Sequence, residues 1–391
     1  MNRTYFDNAA STQIDPAVQK SMHEFEGQFF GNPNSLHREG QAARAAIDNA
    51  REVIAKFIQA EPQEIIFTSG ATESNNLAIQ GVINHALYSK KITKPHIITT
   101  ELEHQCVYNT IKSLTSRGLI ESTFIKPDKH GQINANQVLK AIRDNTILVS
   151  AIFVSNEIGS ILPIREIGKI LFEINLKRKQ KIVFHTDAAQ ALKYLNCNVK
   201  KSNLDLLTGS AHKIYGPKGI GILYIKQGTP LDNLMFGGAQ EYAFRPGTQN
   251  TVGIIGMAVA IKLLGSLEKR QETAEKIKKL SDKLIKFFQT EKYFDLNGPI
   301  EENRAPDIIS ATIYGIDQDL LVSAVDLAGF AVSTGSACVS GSSKPSHVIE
   351  SLGKIGKKKA ATIRISLSKN NTEEEIDKFI DELKRIVLAL R

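Results

Sequence analysis

The sequence predicts an α/β protein: a mostly parallel sheet flanked by helices, with a smaller α+β region after it. Three observations predict this. Between about residues 64 and 225, apolar runs such as Ile147 to Val154 and Ile220 to Ile225 alternate with helical patterns. These runs are near-continuous, which marks strands buried on both faces. Polar residues able to do chemistry (Thr72, His104, Asn156, Asp187 and Lys213) mostly follow the strands, where open α/β sheets place their sites.

The N-terminal stretch Tyr5 to Thr12 is short, polar and loop-like. Asp15-Pro16 starts a helix, with Asp as cap and Pro in the first turn. Five turn formers, Gly31 to Ser35, break the chain. A helix from about His37 to Gln59 follows, with Ala43, Ile47, Ala50, Ile54 and Phe57 on one stripe. Glu64 to Thr68 is a strand that turns at Gly70 into a helix, and His96 to Thr100 is a second strand. Ile147 to Val154 is a third, and Pro163 and Arg165 open the next helix. Lys181 to Asp187 and Ile220 to Ile225 complete the run. A glycine-rich loop, Gly237 to Thr248, leads into one long helical region from Val252 to Glu291. Asp307 to Ile313 and Ala361 to Leu367 are strands, and Asp317 to Leu327 is a helix. Thr372 to Glu375 is a capping box for a last helix that buries Ile376, Phe379, Ile380, Leu383 and Val387.

Composition excludes several classes. Hydrophobic residues make up 42% and charged residues 23% of 391, as in ordinary globular proteins. No run approaches the roughly 18 apolar residues of a membrane span, and the start lacks the apolar core of a signal peptide, so a cytoplasmic protein is expected. Three widely spaced cysteines suggest neither a disulfide framework nor a zinc site. The net charge of +8 is ascribed to solvated lysine-rich faces, because no nucleic-acid motif accompanies it.

Chemistry concentrates in a few stretches. Ser210-Ala211-His212-Lys213 precedes a Gly-Pro-Lys-Gly turn and a strand, and a lysine at a sheet mouth suits Schiff-base chemistry. Upstream, a buried-type strand ends on Asp187. Pyridoxal phosphate needs a lysine for its aldehyde and an acid to keep its pyridine nitrogen protonated, and Lys213 and Asp187 offer that pair. The small-residue turn at Ser69 to Thr72 is either a phosphate cup at a helix N-terminus or a plain helix start capped by Ser69 or Thr72. His104 is a strand-end ligand or a cap-region histidine, and Cys106 reads as a core filler. Cys338 sits in Ser333 to Ser343, a loop of small residues, as an available or an incidental thiol. Arg364 interrupts a strand pattern, to grip a carboxylate or to face solvent.

These residues resemble a known family. Thr68 to Asn76, Asn156-Glu157-Ile158-Gly159, Asp187-Ala188-Ala189-Gln190, Ser210 to Lys213, Ser336-Ala337-Cys338 and Arg364, in this order, resemble group I cysteine desulfurases. These are fold-type I pyridoxal-phosphate enzymes of the class V aminotransferase superfamily. The resemblance implies a seven-stranded sheet in a large domain at 16–262. It implies a small domain formed by 1–15 and 263–391, which carries a cysteine loop at about 333–345. It implies that L-cysteine becomes L-alanine while Cys338 takes the sulfur as a persulfide. Lys213 would hold the cofactor and move the α-proton, Asp187 would meet the pyridine nitrogen and Gln190 the phenolic oxygen. Asn156 would orient the ring, and His104 would stack on it and serve in acid–base steps. Ala71, Thr72, Ser210 and His212 would hold the phosphate, with Thr248 reaching it from the partner of a homodimer. Arg364 with Asn32 would bind the substrate carboxylate.

Two features depart from the family pattern. Tyr242 to Pro246 differs from the glycine- and serine-containing version common in the family. The sequence runs to Arg391 directly after its last helix, where members that feed iron–sulfur scaffolds often carry a further tail. The acceptor is therefore open between an iron–sulfur scaffold, a tRNA-thiolation protein and others. Selenocysteine lyases and aminotransferases of the superfamily are the alternative readings. The basic run Lys354, Lys357, Lys358 and Lys359 is expected to be solvated, or else to dock an acidic or tRNA acceptor.

Overall fold

A computed structural model describes residues 3–334, 346–354 and 360–391. The chain starts with β1 (Thr4–Tyr5), α1 (Pro16–Gln28) and α2 (Arg38–Ile58). Asp15 caps α1 through Ala17 N, as its sequence predicts. Next come β2 (Ile65–Thr68), α3 (Ala71–Asn84), β3 (His96–Thr100), α4 (Gln105–Ser116), β4 (Glu121–Ile125) and α5 (Ala135–Ala141). They are followed by β5 (Thr146–Ser150), α6 (Ile164–Lys177), β6 (Val183–Asp187), β7 (Leu206–Ser210) and β8 (Gly221–Ile225).

The expected seven-stranded sheet is present, in the order β2-β8-β7-β6-β5-β3-β4. Only β8 runs against its neighbours, β2 and β7; the other pairings are parallel. Side chains alternate between two buried faces. Ile65, Phe67, Ile98, Phe184, Leu207 and Ile222 join one core cluster, and Ile66, Ile97, Val183, Leu206 and Leu223 join another. Both faces being covered is why the strands lack a polar alternation. Of the strand expected to reach Val154, the regular part ends at Ser150, and beyond it Ala151 N and Phe153 N still donate to the carbonyls of His185 and Asp187 in β6.

The expected long helical region from Val252 to Glu291 is present and consists of two helices. α7 (Thr251–Leu264) and α8 (Leu267–Thr290) meet at 77°. Gly265 at φ 76° ends α7, and Ser266 caps α8 by accepting from Lys269 N. Gly followed by Ser is a stop followed by a start, and it outweighs the uninterrupted apolar pattern. α7 is apolar nearly all round because it packs against both α1 and α2.

The remaining elements are β9 (Phe294–Asn297), β10 (Ile308–Tyr314), α9 (Gln318–Leu327), β11 (Phe330–Ala331), α10 (His347–Ser351), β12 (Ala360–Ser366) and α11 (Glu373–Leu390). An antiparallel sheet, β12-β10-β9, packs with α8, α9 and α11 around a third cluster. The N-terminal strand belongs here: β1 pairs with β11, and Phe6 packs against Phe330 and Phe379. The following residues, Asp7 to Thr12, then cross to the large sheet. Among the described residues no single helix is long and apolar enough to cross a membrane.

Candidate active site

A cavity of about 440 Å³ opens at the C-terminal ends of β2, β3, β5, β6 and β7. It collects Ala71, Thr72, His104, Asn156, Asp187, Gln190, Ser210, His212 and Lys213, nine of the residues singled out from sequence. Each strand delivers its residue by ending there. β6 stops on Asp187, and β7 stops on Ser210 before a 3-10 turn, Ala211–Lys213. β2 enters α3 through Gly70, which occupies the N-cap without a side-chain cap, so neither Ser69 nor Thr72 plays that part. The first N–H groups of α3 therefore face the cavity end without an internal partner. Gly221 permits the tight β2–β8 approach: a Cβ there would lie 2.7 Å from Gly70 backbone atoms.

Asp187 is buried, with Oδ2 accepting from Asn75 Nδ2 at 2.7 Å and Oδ1 from Ala189 N at 2.9 Å. Lys213 Nζ donates to the carbonyls of Ala9 and Ala10, at 2.7 and 2.8 Å. Gln190 Nε2 donates to Ala9 O, while its Oε1 and the Ser210 hydroxyl are buried without partners among the described residues. His104 caps α4: its Nδ1 accepts from Cys106 N at 3.2 Å. Burial first, and then the nearby Lys213 and Arg364 cations, lower its pKa against the opposing pull of Asp187. Burial beside Lys213 and Lys218 takes His212 down to about 4. Both rings are neutral at neutral pH.

These groups fit pyridoxal phosphate. The unsatisfied atoms are a hydroxyl, an amide oxygen and helix N–H groups, and a carboxylate and an amine share the same cavity. An uncapped α3 start with Ser210 and His212 beside it suits a phosphate. Asp187 suits a protonated ring nitrogen, and Lys213 suits an aldehyde.

Arg364 is not a solvent-facing strand residue. It is 2% exposed, and its Nη2 donates to Asp7 Oδ1 at 2.7 Å and its Nη1 to Asn156 O at 3.0 Å. Its backbone pairs with Ser333, so the strand holding Arg364 also holds the approach to residue 335. Cys338 itself lies outside the described residues, as do Lys357, Lys358 and Lys359. Lys354 is no member of a free basic run, because it pairs with Asp295 at 2.9 Å.

Asn32 and Thr248 are exposed and do not line the cavity within one chain. Asn32 Oδ1 accepts from Asn34 N, which closes a local turn. The loop toward Thr248 is tied to the cavity by Arg245, whose Nε donates to Glu73 Oε1 at 2.9 Å. Sequence reasoning gave no role to Asp7, Ala9, Ala10, Asn75 or Glu73. Asn75 carried a signal, as part of the stretch Thr68 to Asn76. The N-terminal residues carried none, since nothing local links them to Lys213. Cys106 is more than a filler: its Sγ lies 3.0 Å from His104 Nδ1 and accepts from Asn75 Nδ2 at 3.1 Å.

Known proteins resemble this chain over its whole length. The aminotransferase class-V family pattern matches residues 4–379. A cysteine desulfurase IscS of Clostridium botulinum (strain Hall) is 40% identical over 394 residues, covering 100% of this chain and 96% of that protein. A solved NifS-like protein superposes with a TM-score of 0.89 at 34% identity, covering 99% of this chain and 100% of that one. A structure described as SspA in complex with cysteine gives 0.80 at 38% identity, covering 94% of this chain and 100% of that one. With its sheet-mouth lysine and carboxylate and these full-length matches, the chain belongs to the class-V aminotransferase family of pyridoxal-phosphate enzymes.

Proposed function

We propose that the protein is a cysteine desulfurase, converting L-cysteine to L-alanine and passing the sulfur to Cys338. One observation carries the reading: the segment holding Cys338 is anchored at both described ends to walls of the same site. On one side Ser333 pairs with the Arg364 backbone, and Thr334 O accepts from Thr362 Oγ1 at 2.8 Å. On the other, His347 Nε2 is 3.0 Å from Glu103 O, one residue before His104. Cys338 follows Thr334 by four residues in the sequence.

The Arg364 guanidinium, held by Asp7 and the Asn156 carbonyl, receives the substrate carboxylate. Bound pyridoxal phosphate supplies an electron sink for the substrate α-carbon. Asp187 keeps a negative charge at the cavity base, and Gln190 and Asn156 orient what lies above it. Lys213 Nζ takes the α-proton and later returns a proton to carbon. His104, neutral, offers an Nε2 proton. The Cys338 thiolate attacks the substrate sulfur: an S–S bond forms, the Cβ–S bond breaks, and its electron pair returns to the carbon fragment. Protonation releases L-alanine and leaves a persulfide, which an acceptor protein takes up.

The large domain then spans 16–262, and 1–15 with 263–391 form the small one. The exposed apolar groove formed by Phe25, Phe29, Ala46, Val53 and Val259 supports a homodimer in which Thr248 serves the partner's phosphate cup. We place the enzyme in the cytoplasm, supplying sulfur for iron–sulfur clusters or tRNA thiolation.

The test is L-alanine formation from L-cysteine with a thiol reductant, wild type beside Cys338→Ala, both saturated with cofactor. Activity confined to the wild type is expected. Equal activity in both moves the protein to another reaction of the family.

A further inference from the structure

A second cavity, of about 260 Å³, lies where the end of α7 and the start of α8 meet the segments after β6 and after Lys213. Its walls hold a cation without a counter-ion. Arg270 is 6% exposed, with Nη1 donating to Leu192 O and Leu195 O and the guanidinium 4.5 Å over the Phe57 ring. Among the described residues it forms no ion pair, and its Nε, shielded from solvent, has no acceptor. Other buried cations here are provided for. Arg51 has Glu241, Lys193 has Asp307, and Arg304 spends its nitrogens on three carbonyls. A buried charge left unpaired costs several kcal/mol, so a missing partner at Arg270 calls for explanation.

A second feature points to an anion. The lining carries Lys193, Lys269, Arg270 and Lys369 against the single carboxylate Asp15. Asp307 neutralises Lys193 and Asp15 neutralises Lys369, which leaves Arg270 and Lys269 in surplus. The opposite wall is Ala260, Leu263 and Leu264, which suits hydrocarbon.

We propose that this cavity is a ligand site for a small organic acid, its acid group between Arg270 and Lys269 and its hydrocarbon body against Leu263 and Leu264. Occupancy is felt at the active site through Tyr215, which lines this cavity two residues after Lys213. Tyr215 N donates to Thr12 Oγ1, and Thr12 Oγ1 donates to His212 O, so one short network spans both cavities. The site is separate from the residues that bind and convert cysteine.

The experiment is calorimetric titration of the cofactor-saturated protein with butanoate, with monobutyl phosphate and with inorganic phosphate. One site per chain is expected for at least one butyl acid, and whichever binds identifies the acid group. Arg270→Met should weaken that binding at least ~10-fold, as expected for a lost charge-assisted contact. Lys269→Glu, on an exposed helix position and free of folding consequences, should weaken it about fivefold or more. Failure of both butyl acids to bind, or unchanged binding in either variant, overturns the proposal. Inorganic phosphate binding as tightly as the butyl acids overturns the organic assignment.

Discussion

Cys106 Sγ lies 3.0 Å from His104 Nδ1, and the Cys106 backbone N–H donates to that same nitrogen. A nitrogen that accepts a backbone N–H carries no proton, so the neutral ring holds its proton on Nε2. Burial, followed by Asp187, pushes the Cys106 thiol up to about 12, so the thiol stays protonated and donates too. Sγ also accepts from Asn75, whose Nδ2 reaches Asp187. Cys106 thus links the ring, through Asn75, to the carboxylate at the cavity base. Cys106→Ala should lower kcat roughly three- to tenfold with KM little changed, whereas Cys106→Ser, which keeps a donor, stays within about twofold. Nitrogen NMR of His104 should report the Nε2–H form in the wild type. An Nδ1–H form there would refute the assignment.

The proposed carboxylate grip of Arg364 is tested through its pair with Asp7. Asp7 holds the guanidinium from one side and the Asn156 carbonyl from another. Arg364→Ala should raise KM for L-cysteine about 100-fold, in line with the 2–5 kcal/mol attached to a buried, hydrogen-bonded charge. Asp7→Asn preserves shape and removes the anchoring charge, so KM should rise about three- to tenfold. Steady-state kinetics on both variants decides, and an unchanged KM in Arg364→Ala would place the carboxylate elsewhere.

The reach of the sequence follows from how local each signal is. Asp187 was legible because it closes an apolar strand, and Ser210 and Lys213 because they stand just before the apolar run Ile220 to Ile225. Asp7 was not, because its partner lies 357 residues away and its own surroundings read as loop. β4 (Glu-Ser-Thr-Phe-Ile) escaped notice as an edge strand with mostly half-buried residues. β7 did so because its last three residues, Thr208, Gly209 and Ser210, are small or polar although fully buried. Arg364 looked like an interruption because a guanidinium paired to a distant carboxylate is indistinguishable in sequence from a solvated one.

Arg51 and Glu241 show the same limit in a structural pair. Their two hydrogen bonds, both 2.8 Å, are buried, and Glu241 Oε2 also accepts from Phe67 N at 2.9 Å. The pair fixes a run of left-handed residues, Glu241, Tyr242 and Ala243, at φ 44°, 54° and 66°. This loop continues to Arg245 and Thr248. Glu241→Ala leaves the arginine buried and unpaired, so it should cost about 3–5 kcal/mol of stability and loosen the loop. Thermal unfolding and protease cleavage near residue 243 measure the two effects. Glu241→Gln, which keeps hydrogen bonds, should lose less.

Glu103 gives the protein a stability slope across the acidic-to-neutral range. It is wholly buried next to the site; its Oε1 accepts from Thr100 Oγ1 and Ile152 N, and its Oε2 has no partner among the described residues. Burial raises its pKa to about 8, and the negative charge of Asp187 adds to the rise. Between the ordinary 4.5 and about 8 the folded chain keeps this proton while the unfolded chain has lost it. The unfolded state then binds fewer protons, so stability falls as pH rises through that window. Glu157, raised by burial to about 7, adds to the same slope. Glu103→Gln retains an acceptor for Thr100 and Ile152 and removes the titration. The variant should therefore lose less stability than wild type between pH about 5 and 8, by on the order of 3 kcal/mol. Thermal midpoints of both proteins across that range test it, and parallel curves would show that Glu103 is ionised in the folded state.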